Sequence, residues 1–199
     1  MKRLAINEAG LTPTFIGSWA MEPLSLCDEL ITYFEENASL QRLGSTSAGI
    51  DSSMKDRIDI NMSPADLSQP QNEVFVRYFD NLFSCYREYL KEWPFLGEVS
   101  QTLEIGNFNL GRYHKGQHFQ SIHTERTSLN TLHRVLAWMT YLNDVEEGGE
   151  TYFSHYDIGV KPKKGLTLIW PAEWTHAHKG SVLLEGSKYM ITGWLHFPD

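Results

Sequence analysis

The sequence predicts an α+β protein, mainly β, with helices in its first half and short strands in its second. Three observations lead to this prediction: two helical stripes of apolar residues before Gly97, a change to short β-rich segments after it, and turn-forming pairs between those segments. Helices followed by strands favour helices packed on one sheet of a double-sheet β core, and a sandwich, a jelly roll or a barrel would provide such a core. We expect one domain over 1–199, with helical support to about 97 and the β core from about 98.

Two helices are predicted from the period of their apolar residues. The first covers 25–37, and Ser25 is a suitable N-cap for it. The second covers 71–93, and Pro94 is expected to end it. The apolar positions on one face of each helix are Cys27, Leu30, Ile31 and Phe34 in the first, and Phe75, Phe79, Leu82, Phe83, Tyr86 and Leu90 in the second. Both stripes are typical of helices that face a core.

The segment 43–67 is rich in Ser, Asp, Gly and Met and is predicted to be a loop. A loop of this length in a compact domain often serves as a lid or a binding element. Strands are predicted near 101–113, 117–125, 134–143, 151–154, 166–171, 175–183 and 188–197. Pairs such as Gly148-Gly149 and Glu185-Gly186 separate them.

Composition narrows the class of function and the location. The formal net charge is −8, which does not suit non-specific binding to nucleic acid. There is no apolar stretch of about 18 residues for a transmembrane helix, and the N-terminus becomes polar too soon for a signal peptide, so we expect a cytoplasmic protein. Cys27 and Cys85 form no CxxC pair and are predicted to be buried thiols. Nothing in the sequence indicates the oligomeric state.

The first candidate metal ligands are His123 and Glu125. On a strand, residues two apart point to the same face, so an imidazole and a carboxylate could meet at one point. His176 and His178 follow in a later strand-like segment and also share a face, so either could supply a second nitrogen. Two imidazoles and one carboxylate with open positions are the ligand set of non-haem Fe(II) oxygenases.

The last predicted strand places Lys188, Met190, Thr192 and Trp194 on one face. A lysine that faces into a barrel is costly unless an anion pairs with it. A dicarboxylate ligand would supply that anion, whereas a lysine at the strand edge would lie in solvent.

Four segments, in this order, resemble the prolyl 4-hydroxylase-like branch of the 2-oxoglutarate/Fe(II) oxygenases. They are YHKGQHFQSIHTE, YLNDVEEGGETYF with a double glycine expected to make a hairpin turn, VKPKKGLTLIW, and HKGSVLLEGSKYMITGW. The resemblance covers about 103–197 and implies a double-stranded β-helix, or jelly roll, as the catalytic core over about 98–199. It further implies hydroxylation of a substrate C–H bond with Fe(II), 2-oxoglutarate and O2, with L-ascorbate as a possible reductant.

The resemblance also implies roles for particular residues. His123, Glu125 and His178 would hold iron, and Lys188 and Tyr113 would bind the distal carboxylate of 2-oxoglutarate. Thr192 and Trp194 would line the pocket on the face of Lys188, Thr192 as a co-substrate-binding residue and Trp194 as a catalytic residue. His178 is preferred to His176 because Gly186 and Lys188 follow it at the spacing typical of the family. His155-Tyr156-Asp157 repeats the His-x-acid pattern, but it follows the glycine pair and is predicted to lie in a loop.

The chain departs from the family pattern at two points. Glu125 stands where the family usually has aspartate, and one extra residue separates Tyr113 from His123. The branch favours a peptidyl proline as substrate, and the open alternatives are another peptidyl residue, a free amino acid or a small metabolite. A nucleobase demethylase is disfavoured by the acidic chain, and a halogenase by Glu125, since halogenases leave that position vacant. A jelly roll acting only as a binding or sensor module is the alternative from another class.

Overall fold

The computed structural model describes residues 13–46, 49–100 and 102–198. Within these residues the α-helices are α1 Ser25–Glu36, α2 Glu73–Glu92 and α3 Phe95–Val99. The strands are β1 Gly17–Ala20, β2 Arg42–Leu43, β3 Ile58–Met62, β4 Glu104–His114, β5 Phe119–His123, β6 Arg134–Tyr141, β7 Thr151–Phe153, β8 Ile158–Val160, β9 Leu166–Pro171, β10 His178–Gly180 and β11 Ser187–His196.

The strands form two antiparallel sheets. The large sheet has the order β1-β9-β6-β11-β4-β3-β2, and the small sheet has the order β5-β10-β7-β8. Helices α1 and α2 pack on the outer face of the large sheet, and the small sheet covers its inner face. The predicted fold class, a mainly β double-sheet core with helices on one sheet, is confirmed.

The alternation of side chains along β6 shows how one strand serves two cores. Leu136 and Trp138 are buried under the helices, against residues such as Phe79 of α2. Ala137 and Met139, on the opposite face, belong to the core between the sheets. Because successive side chains of a strand point to opposite faces, one apolar segment packs against both layers.

The helices agree with the prediction in position but differ at their ends. Leu24 is the N-cap of α1, no side chain caps it, and Ser25 is the first helical residue, so the Ser25 cap was wrong. Helix α2 begins at Glu73, after a short 3₁₀ turn, and ends at Glu92 before Pro94 as expected. Both cysteines are buried and free, which confirms the prediction of buried thiols.

The first half contains strands that the sequence analysis missed. The segment 43–67 is not one loop, because β3 within it pairs with β4 in the large sheet. β1 pairs with β9 at the other edge of that sheet. The remaining part of the segment before β3 lines a cavity, as a binding element would.

Two expectations for the second half were also wrong. The predicted strand 175–183 is a 3₁₀ turn at Trp174–His176 followed by β10. The pair Gly148-Gly149 makes no hairpin, because β6 and β7 lie in different sheets and the glycines lie on the crossover between them. Both glycines have positive φ, 76° and 73°, which favours glycine at these positions.

Among the described residues, no helix combines the length and apolar character needed to cross a membrane. The N-terminal segment on which the signal-peptide argument rests, 1–12, lies outside the described residues.

Candidate metal centre

Two histidines on neighbouring strands of the small sheet and one glutamate lie close together. His123 ends β5, His178 begins β10, and the two residues are direct partners in the antiparallel register. Glu125 lies in a bend just after β5 and not on the strand, which corrects the same-face argument. One ligand atom from each of the three residues lies within 4.8 Å of the others.

The spacing of these atoms suits a single metal ion. Oε1 of Glu125 lies 3.3 Å from Nε2 of His178 and 3.9 Å from Nε2 of His123. Ligands at about 2.1 Å from an ion and at right angles to each other lie about 3 Å apart, so small side-chain movements would complete the geometry. Two nitrogens and one carboxylate on one side of an ion leave open positions, which is the donor set of non-haem Fe(II) sites.

Hydrogen bonds fix which nitrogen of each ring faces the site. Nδ1 of His123 lies 2.8 Å from the carbonyl oxygen of Ser121, and Nδ1 of His178 lies 2.9 Å from that of His176. A carbonyl only accepts, so each neutral ring carries its proton on Nδ1 and directs the lone pair of Nε2 toward Glu125. Outer hydrogen bonds of this kind orient histidine ligands in metal sites.

The electrostatics favour the protonation states that a metal requires. Burial, together with the charge of His178, lowers the pKa of His123 to about 4. Burial works against the charge of Glu125, but the hydrogen bond from Trp194, together with the charge and hydrogen bonding that His178 and His123 supply when they are protonated, outweighs burial and lowers the pKa of the carboxyl to about 2. At neutral pH the site therefore offers a neutral imidazole and a carboxylate, so loading a metal requires no deprotonation of these two groups.

The two rejected histidines lie elsewhere. His176 belongs to the 3₁₀ turn, and its Nε2 lies 2.7 Å from the carbonyl oxygen of Thr14, away from Glu125. His155 is exposed in the turn between β7 and β8 and contacts Trp174. The structure thus distinguishes the two histidines, because Nε2 of His178 lies near Glu125 and Nε2 of His176 does not. The sequence could distinguish them only by their spacing from Gly186 and Lys188.

A cavity of about 680 Å³ opens beside the three residues and extends between the sheets. Its lining includes the predicted residues Tyr113, His123, Glu125, His178, Lys188, Thr192 and Trp194. All of the residues singled out as a site therefore face one space.

Lys188 lines this cavity and is buried, with 2% of its surface exposed. Its Nζ donates a hydrogen bond of 2.8 Å to the carbonyl oxygen of Gly149 and lies 4.2 Å from the centre of the Tyr113 ring. Burial, together with the nearby charge of Arg57, lowers the pKa of Lys188 to about 7. No carboxylate among the described residues forms an ion pair with it, so an anion in the cavity would stabilise its charge.

Thr192 and Trp194 share the face of β11 that Lys188 occupies, as predicted. Oγ1 of Thr192 donates to the carbonyl oxygen of Trp138, and Nε1 of Trp194 donates to Oε2 of Glu125 over 2.8 Å. Trp194 thus contacts a candidate metal ligand directly.

The sequence analysis missed four charged residues of the cavity region: Lys55, Arg57, Asp59 and Arg134. The first three lie on or beside β3, which had been assigned to a loop, and all three are buried. Arg134 begins β6, and its guanidinium stacks on Trp194 at 3.6 Å from the ring centre. The alternation of apolar residues 58, 60 and 62 with polar ones is the signal that indicates β3.

The sequence is similar to a family of oxygenases and to prolyl 4-hydroxylases. Residues 108–196 match the family model described as 2OG-Fe(II) oxygenase superfamily. Prolyl 4-hydroxylase 2 of Arabidopsis thaliana is 26% identical over 200 residues, covering 85% of this chain and 62% of that protein. Prolyl 4-hydroxylase subunit alpha-1 of Homo sapiens is 27% identical over 109 residues, covering 49% of this chain and 20% of that protein.

The chain thus spans about a fifth of the length of the human relative and under two thirds of the plant one. Among solved structures, a prolyl hydroxylase of Trichoplax adhaerens, in complex with a hypoxia inducible factor oxygen degradation domain peptide fragment, has a TM-score of 0.67. It is 13% identical in sequence, and the match covers 92% of this chain and 84% of that one. This likeness shows a common fold.

Proposed function

We propose that the chain is an Fe(II)- and 2-oxoglutarate-dependent dioxygenase of the prolyl 4-hydroxylase-like branch, and that it hydroxylates a peptidyl proline; its similarity to the 2OG-Fe(II) oxygenase superfamily model and to prolyl 4-hydroxylases supports this. The observation that carries the proposal is that one cavity is lined both by a two-histidine, one-carboxylate centre and by a buried lysine. A 2-oxo acid with a distal carboxylate has the two groups that these two features would bind.

In this proposal His123, Glu125 and His178 hold Fe(II), and the donor set fits that ion. The bound metal supplies oxygen activation: 2-oxoglutarate and O2 give succinate and CO2, one oxygen atom enters succinate, and the other converts a substrate C–H to C–OH. The protein orients the reactants and excludes water from them.

Lys188 and Tyr113 take the distal carboxylate, since both are buried, line the cavity and lie next to each other. A hydrogen bond between an ammonium group and a carboxylate is stronger than one between neutral groups. In a buried site the low dielectric strengthens this interaction further. Thr192 also lines the cavity. Trp194 holds Glu125 and is a positioning residue more than a reacting one.

A peptide or protein is the proposed substrate class. The relatives are prolyl 4-hydroxylases, and the structure from Trichoplax adhaerens holds a peptide. His123 and Glu125 line the cavity and are partly exposed, so a peptide side chain could reach the metal centre. Another peptidyl residue, a free amino acid or a small metabolite remain the alternatives that a substrate screen distinguishes.

The test is aerobic incubation of the purified chain with Fe(II), ascorbate, 2-oxoglutarate and a library of proline-containing peptides. Mass spectrometry should show one added oxygen atom on a peptide, with succinate formed in equal amount. His178→Ala is the negative control and His176→Ala the matched one. Succinate no higher than in His178→Ala, with every peptide unmodified, would reject the enzyme and favour a binding or sensor module.

A further inference from the structure

Three buried cations line the cavity, and two of them, Lys55 and Arg57, share one buried carboxylate, that of Asp59. Lys55, Arg57 and Lys188 are 7%, 4% and 2% exposed, and Asp59 is 1% exposed. Nζ of Lys55 lies 3.0 Å from one carboxylate oxygen of Asp59, and Nε of Arg57 lies 2.7 Å from the other. Buried charges normally occur in compensated pairs. This cluster therefore carries more positive charge than its one carboxylate balances, and the excess faces the cavity.

Two of these cations, Arg57 and Lys188, contact the same phenol side chain, that of Tyr113. Nη1 of Arg57 donates a hydrogen bond to the hydroxyl oxygen of Tyr113 over 3.1 Å, and its guanidinium carbon lies 5.5 Å from the ring centre. Nζ of Lys188 lies 4.2 Å from the same ring centre. Arg57, Tyr113 and Lys188 all line the cavity, so their polar groups surround one part of it.

The direction of the bond between Arg57 and Tyr113 has a consequence for the phenol. A guanidinium only donates, so the Tyr113 oxygen must be the acceptor and its own O–H must point to another group. Within the described part of the chain, the Tyr113 hydroxyl contacts no acceptor for that proton. Arg57 thus presents the Tyr113 O–H to an acceptor in the cavity.

We propose that Arg57 is a positioning and specificity residue for the co-substrate: it turns the Tyr113 hydroxyl into a donor and adds a fixed charge beside Lys188, selecting a 2-oxo acid with a distal carboxylate. The proposal rests on the proposed function. It adds Arg57 to Lys188 and Tyr113 as a residue that acts on the distal carboxylate. It also explains why a buried arginine, paired with Asp59, lies near Lys188.

The fixed charge matters because the two cations titrate differently. Lys188 faces Arg57, Glu150 and Tyr113, and burial with the Arg57 charge lowers its pKa to about 7. Arg57 faces Asp59, Tyr113, Lys55 and Lys188. Burial works against the charge of Arg57, but Asp59 and Tyr113 hold its pKa above the usual range. Near neutral pH, Arg57 is therefore charged throughout while Lys188 is partly neutral.

The experiment measures, by calorimetry, the affinity of the full chain loaded with Mn(II) for two ligands. The ligands are 2-oxoglutarate and 2-oxopentanoate, which has the same 2-oxo acid head and a methyl group in place of the distal carboxylate. We expect Arg57→Met to weaken 2-oxoglutarate by about 10- to 100-fold and to leave 2-oxopentanoate unchanged. Arg57→Lys should recover part of the loss. Arg77→Met, at an exposed arginine of α2, should change neither ligand.

Tyr113→Phe keeps the ring in place and gives a second test, including the case in which Arg57→Met does not fold. It should weaken 2-oxoglutarate alone, and combining it with Arg57→Met should cost less than the sum of the two changes, because Arg57 acts through the phenol. The pH profile gives a third readout. The affinity of the wild type for 2-oxoglutarate should fall above about pH 7, and Arg57→Met should move that fall to higher pH because one cause of the low Lys188 pKa is gone.

Equal loss of both ligands, or no loss of either, in the Arg57 and Tyr113 variants would overturn this inference. A wild-type chain that binds neither 2-oxo acid would instead reject the proposed function, so the two failures are distinguishable.

Discussion

Nε1 of Trp194 lies 2.8 Å from Oε2 of Glu125 and donates a hydrogen bond to it. The other carboxylate oxygen, Oε1, faces Nε2 of His178 and of His123. The indole therefore occupies one oxygen and leaves the other for a metal. Glutamate stands where the family usually has aspartate, and this bond explains how the longer side chain can still present one oxygen to the centre.

Replacing Trp194 by phenylalanine should weaken metal binding by about 10- to 100-fold, because Glu125 loses the bond that orients it. The affinity for Mn(II), followed by electron paramagnetic resonance, measures this. Trp174→Phe is the matched control, since Trp174 is 68% exposed. Equal affinities in wild type and Trp194→Phe would show that the indole does not position the carboxylate.

The two neighbouring histidines should behave differently. His178→Ala removes an inward-facing nitrogen and should lower Mn(II) affinity by more than about 100-fold. His176→Ala should leave it close to wild type, because Nε2 of His176 faces the backbone of Thr14. The reverse order of effects would assign the wrong histidine to the metal.

Binding of 2-oxoglutarate should take up a proton at pH 8. With a pKa of about 7, Lys188 is about nine tenths neutral at that pH in the free protein, and the distal carboxylate raises its pKa and charges it. Affinity should therefore fall as pH rises above about 7. Calorimetry of the Mn(II)-loaded protein in two buffers of different ionisation enthalpy counts the protons.

At pH 6 the same titration should show almost no uptake, because Lys188 is already charged. Lys188→Gln should abolish the uptake at pH 8. An unchanged proton count in that variant would mean that another group titrates.

Asp59→Asn should lower the free energy of unfolding by about 3–5 kcal/mol, because it leaves Lys55 and Arg57 buried without their shared carboxylate. Urea unfolding at neutral pH gives the value. Asp80→Asn, on the exposed face of α2, should change it by less than about 0.5 kcal/mol. A small effect at Asp59 would show that the cluster is solvated.

Much of the fold and of the centre followed from periodicity and motif order. Helix α2 and the strands around Trp138 and Met190 contain apolar residues at helical or strand periods, and these periods predict the elements directly. The convergence of His123 with His178 did not follow from periodicity, because it depends on a register between β5 and β10 that only tertiary structure fixes.

The charged cluster around Arg57 was missed for a different reason. The Ser, Asp, Gly and Met content of 43–67 suggested a loop, whereas β3 within it carries Asp59, and Lys55 and Arg57 just before β3 line the cavity. Burial of charge is decided by the ligand and the neighbouring strands, so composition alone could not reveal it. The crossover at Gly148-Gly149 was likewise assigned to a hairpin, because the choice between one sheet and two is not local.

The most direct test of the centre is the visible charge-transfer absorption of Fe(II) chelated by a 2-oxo acid, recorded without oxygen. Wild type and His176→Ala should develop the band on addition of Fe(II) and 2-oxoglutarate together, and His178→Ala should not. A wild-type chain that shows no band at saturating concentrations of both, or a band that survives in His178→Ala, would contradict a metal centre built from His123, Glu125 and His178.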